Sequence, residues 1–80
     1  MDYLKTTRSI IDILNKSGYS SQALKIQSLR DGASVGSELL MSVTHELMIF
    51  INTDSNLKDL IGHDTNELKD FCWSIGLLVR

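Results

Sequence analysis

Apolar residues return at every third or fourth position through four stretches of this chain, and none of its 80 residues is proline. That spacing lays a stripe along one side of an α-helix. Without proline, no residue lacks a backbone N–H donor or forces a clash with the preceding turn. The prediction is an all-α fold: a small bundle of four main helices with room for a short fifth, forming one domain over residues 1–80. Strand-like alternation is confined to Ile75 to Val79, where it runs in phase with a helical stripe.

In the first stretch, about Asp2 to Ser17, Tyr3, Thr7, Ile10 and Leu14 are spaced by four, three and four, and Ile11 and Ile13 widen the stripe. Gly18 follows the last turn, where a left-handed residue closes a helix at least cost. Ser20 reads as the next N-cap, with Tyr19 before it and Leu24 at the spacing of a hydrophobic staple. This second helix carries Ala23, Ile26 and Leu29 as a modest apolar side and runs to Arg30 or Asp31, with Gly32 as terminator. Ser34 or Ser37 caps the third helix. Ser37 is preferred, because Gly36 is a poor residue for a first helical turn.

The third helix, Ser37 to about Ile51, repeats Leu40, Val43, Leu47 and Phe50 at three, four, three. Leu39, Met41, Met48, Ile49 and Ile51 make its second half apolar nearly all round. Such a helix is central in a bundle or lies against another subunit. Asn52 to Asn56 reads as a polar turn, and Leu57 to Ile61 as a turn or two of helix stopped by Gly62. Asp64 to Glu67 has capping-box spacing. Behind it Leu68, Phe71, Cys72, Ile75, Leu78 and Val79 form one helical face.

Size and charge narrow the functions available. Area scaling for 9.0 kDa gives about 13,000 Å² unfolded and about 4,900 Å² folded, a marginal core that a partner or second subunit would assist. No apolar run approaches the roughly 18 residues of a membrane helix, and the first 16 residues lack the basic start and apolar run of a signal peptide. The single cysteine, Cys72, has no intramolecular partner, which fits a reducing cytoplasm. A net charge of −2 and a pI near 5.5 lack the basic stripe of a nucleic-acid binder. The charge is uneven. Lys5, Arg8, Lys16, Lys25 and Arg30 outnumber the acids before residue 32, whereas Asp54, Asp59, Asp64, Glu67 and Asp70 face only Lys58 and Lys69.

No catalytic or ligand-binding motif in the sequence is complete. His45-Glu46 begins a zinc-protease pattern, but Ile49 stands where the second histidine is required. His45, His63 and Cys72 are too few for a four-ligand zinc site without recruiting carboxylates. Gly32 to Ser37 has three residues between its glycines rather than four, and no lysine, so it is not a phosphate-binding loop. Cys72 lies on the apolar stripe without a base nearby in sequence and reads as a buried, inert thiol. Trp73, beside it, lies off the stripe, either packing at a bundle edge or marking a contact surface. Gln27 to Met41 has the order helix, glycine turn, helix. Glu38, however, falls where a recognition helix is buried, and nothing from Ser37 to Ile51 is basic, so DNA binding lacks its donors. The expectation is no catalysis, no cofactor and no bound metal.

The residues Gly18-Tyr19, Ala23-Leu24 and the run Gly32-Ala33-Ser34-Val35-Gly36-Ser37-Glu38-Leu39-Leu40-Met41 resemble a turn signature between two helices in short bacterial proteins. Some of these are similar to the immunity partners of secreted polymorphic or contact-dependent toxins. The resemblance extends over little more than the first half of the chain and transfers no functional residue. It implies an immunity or inhibitor protein that blocks a toxin by binding it. The alternative is a dimeric helical interaction module or small regulator.

Two surfaces follow as expectations. A basic, nuclease-like toxin domain would be met by the acidic segment 52–70, through Asp54, Asp59, Glu67 and Asp70. Asp64 is left aside because its carboxylate is committed to capping. A homodimer would form on the third helix through Met41, Met48 and Phe50, because that helix has more apolar sides than one small chain can cover.

Overall fold

The structure, a computed structural model, describes residues 1–77. Four helices follow one another: α1 (Tyr3–Lys16), α2 (Ser20–Gly32), α3 (Gly36–Thr53) and α4 (Ser55–Ser74). There is no strand among the described residues. Each helix packs on the next and α4 returns to α1, which closes a four-membered ring 32 × 22 × 19 Å in extent. Short connections make chain neighbours antiparallel, as in other small bundles.

The stripes are the buried faces. Thr7, Ile10, Ile11 and Leu14 of α1 meet Ala23 and Ile26 of α2, the helix with the weakest stripe and the smallest buried share. Helix α3 contributes Leu39, Leu40, Val43, Leu47 and Ile51, and α4 contributes Leu57, Ile61, Leu68 and Cys72. The folded surface is 4735 Å², close to the scaling value, so one chain alone buries a normal share of its area.

Helix α1 begins and ends as its residues dictate. Asp2 Oδ1 accepts from the Lys5 N–H at 3.1 Å, satisfying one free donor of the first turn. At the other end Gly18 has φ +86°, the Tyr19 N–H reaches the Leu14 carbonyl at 2.8 Å, and the Gly18 N–H reaches that of Asn15. This is a Schellman closure.

Other boundaries differ from expectation. Ser20 is the first residue of α2 rather than its cap; Tyr19 holds the cap position without a side-chain bond. Leu24 is 67% exposed, so no staple forms. Neither Ser34 nor Ser37 caps α3. Val35 stands at the cap in extended conformation, and Glu38 reaches back to the Ser34 N–H at 3.1 Å. Gly36 sits inside the first turn after all. A β-carbon there would press on the Tyr3 hydroxyl, the far end of a side chain, so the bare glycine leaves room for the Tyr3 ring where it lies. Gly32 is the last residue of α2, without positive φ.

The largest difference is in α4. The short fifth helix, the stop at Gly62 and the cap at Asp64 are replaced by one continuous 20-residue helix capped by Asp54. A glycine inside a helix costs about 1 kcal/mol. Continuity aligns Leu57 and Ile61, 2% and 0% exposed, with Leu68 and Cys72, and each large apolar side chain so buried contributes roughly 1.5–3 kcal/mol. Burial wins. The predicted run to Val79 is also shortened. Gly76, φ +84°, ends the helix with Leu77 N–H to Cys72 carbonyl at 2.8 Å, a second Schellman closure. Leu78 and Val79 lie outside the described residues.

Candidate functional site

Continuity of α4 changes what its charges can do. With Gly62 inside the helix, Asp59 shares one continuous helix with Glu67 and Asp70 instead of lying on a separate element. At 3.6 residues per turn, Asp59, His63, Asn66, Glu67 and Asp70 fall within about 100° of helix surface and span roughly 16 Å of its length. All five are exposed. Lys58 and Lys69 lie more than about 100° from the middle of this face, so neither stands among the carboxylates.

Within the face, His63 Nε2 and Glu67 Oε1 are 2.8 Å apart, one helical turn along. Asp64, half-buried at the edge, brings an oxygen to within 4.8 Å of both. Three donors on one exposed helix fall short of the four converging ligands of a structural zinc site.

Asp54 does not join this face. It is the single residue between α3 and α4, half-buried, and its N–H reaches the Phe50 carbonyl at 3.1 Å. Its Oδ1 accepts from Asn56 N–H at 2.8 Å and Leu57 N–H at 3.3 Å, and its Oδ2 accepts from the Tyr19 hydroxyl at 3.3 Å. Of the four acidic candidates, Asp59, Glu67 and Asp70 are brought together, while Asp54 is occupied in joining elements.

Of the apolar candidates on α3, Met41 and Met48 are seven residues apart and share one side of the helix, and Phe50 does not join them. Met41 is 40% exposed, whereas Met48 and Phe50 are half-buried against the core. Nine residues separate Met41 from Phe50, which puts them about half a turn apart on opposite flanks. Trp73 is 57% exposed at the end of α4, and Cys72 is fully buried with its sulfur 3.8 Å from Thr44 Oγ1. His45 lies exposed on α3.

One feature escaped sequence reasoning. Between α1 and α2 runs an open groove of about 430 Å³, with Ile11, Ala23 and Leu24 among its lining residues and Arg8 and Asp12 on its rim. The available signal was Leu24 itself, which falls outside the stripe formed by Ala23, Ile26 and Leu29.

Comparison of the chain with protein-family models, with curated proteins and with solved structures finds no match.

Proposed function

We propose that this chain is a non-catalytic binding protein of the cytoplasm that neutralises a bacterial toxin by covering a basic, substrate-binding surface of it. The observation that carries the reading is the outward face of α4, where Asp59, Glu67 and Asp70 stand exposed with no lysine or arginine among them. The resemblance of the Gly32–Met41 turn region to immunity partners supplies the class of target. An inhibitor of this kind needs no chemistry of its own; it must be rigid, fit the groove and match its charge. A face carried on one continuous helix, fixed by the Leu57–Cys72 stripe beneath, meets the first requirement.

The test begins with capture of the partner from the native host, followed by its purification and kinetic measurement. The wild type should bind a basic protein fast, with an association rate that falls steeply as salt rises. Reversing Asp59, Glu67 and Asp70 to lysine should slow association roughly tenfold or more and flatten the salt dependence. Helical content should be unchanged. A neutral or acidic partner, or unchanged kinetics and protection, overturns the reading.

A further inference from the structure

We propose that the α1–α2 groove binds a second copy of this chain, making a twofold dimer that leaves the acidic face of α4 uncovered. The groove has an apolar floor in Ile11 and Ala23, and beside it Leu24 projects with 67% of its surface exposed. A hole and a knob thus occupy one surface. A twofold axis over that surface sets each copy's Leu24 into the other's groove, because an isologous interface uses the same patch on both sides.

The charges on the rim support this occupant over an unrelated one. Arg8 and Asp12 are one helical turn apart on α1, yet neither makes an ion pair with any described residue. Two like-oriented copies would repel at these positions. Two copies related by an antiparallel twofold pair Arg8 of each with Asp12 of the other, so both charges are satisfied twice. The rest of the rim, Gln27 among it, is uncharged and adds no repulsion. The outward face of α4 cannot serve the same purpose, since three carboxylates would meet three carboxylates.

This surface replaces the third helix as the seat of association. It is also independent of what α4 binds, so its failure would leave that reading standing. In the dimer two acidic faces are presented, and a partner with repeated basic surfaces would gain avidity from them.

Sedimentation equilibrium of the purified full chain, up to millimolar concentration, tests the proposal with no ligand but the chain itself. The wild type should show a reversible monomer–dimer equilibrium. Leu24→Gln, on an exposed helical position, should weaken it roughly tenfold or more while leaving the far-ultraviolet spectrum unchanged. Arg8→Asp and Asp12→Arg should each weaken it, and the double exchange Arg8→Asp/Asp12→Arg should restore it, because only twofold pairing is recovered by swapping both partners. A wild type that stays monomeric throughout overturns the proposal. So does a dimer indifferent to Leu24, or a double exchange no better than its single variants.

Discussion

The Tyr19 hydroxyl donates to Asp54 Oδ2 at 3.3 Å, joining the α1–α2 turn to the α3–α4 turn across 35 residues of sequence. Both turns lie at the same end of the bundle, and Asp54 is at once the last bend of α3 and the cap of α4. Loss of a cap costs about 1 kcal/mol, and a hydrogen bond as long as this one, only part-buried, contributes about the same. Asp54→Ala should therefore lower stability by roughly 2 kcal/mol, and Tyr19→Phe by roughly 1 kcal/mol. The double variant should fall short of the sum by about 0.5–1 kcal/mol, as contacting residues do. Urea denaturation of the four proteins measures all three values. A fully additive cycle would show that the contact carries no coupling.

The glycines separate into two kinds, and alanine substitution should move them in opposite directions. Gly62 is buried inside α4, where an added β-carbon would meet only the Lys58 Cγ, at 3.5 Å, an ordinary contact. Gly62→Ala should stabilise the chain by about 0.5–1 kcal/mol, since the glycine's conformational freedom in the unfolded chain is removed. Gly18 and Gly76 have φ of +86° and +84°. There the same substitution should destabilise by roughly 1–2 kcal/mol, the cost of a left-handed side-chain-bearing residue. Thermal unfolding separates the cases: a shift of about 4–8 °C per kcal/mol is usual for a domain of this size.

Thr65 is fully buried in α4, and its Oγ1 has no partner among the described residues. An unsatisfied buried hydroxyl costs about 1–3 kcal/mol, and valine has nearly the same shape. Thr65→Val should raise stability by about 1 kcal/mol or more. Thr7→Val is the control, because that hydroxyl donates to the Leu4 carbonyl at 3.1 Å and its removal should bring no such gain. Chemical denaturation midpoints at constant slope give the comparison. Equal effects at the two sites would show that the Thr65 hydroxyl is satisfied in solution.

Cys72 is wholly enclosed and shares its burial with Thr44. A thiol reagent should react with it only through opening of the bundle, so the rate should be that of a free thiol reduced by the opening equilibrium, and should follow global stability. Gly62→Ala should slow the reaction, and Asp54→Ala should speed it. A fast reaction unaffected by either change would place the sulfur within reach of solvent.

The acidic face shows how far the sequence carries. Asp59, Glu67 and Asp70 can be singled out by charge alone, but a chain broken at Gly62 scatters them over two elements. Only the continuous α4 makes them one surface, and the same continuity hands the capping role to Asp54. Asp54 groups with them on charge, but its position in the bend takes it away.

By itself the sequence determined the number of main helices, the buried side of the first three and of α4 as far as Cys72 (Ile75, expected on the same face, is 52% exposed), the closure of α1 at Gly18 and the burial of Cys72. Each of these rests on spacing within one or two turns, which the backbone's 3.6-residue period reads directly. Tertiary structure decided where α4 starts and stops, where α3 begins, which carboxylates share a face and why Leu24 is left in solvent. At such points local preferences differ by only about 1 kcal/mol. Burial of a leucine or isoleucine from a neighbouring helix exceeds that difference, so long-range packing overrules local propensity there.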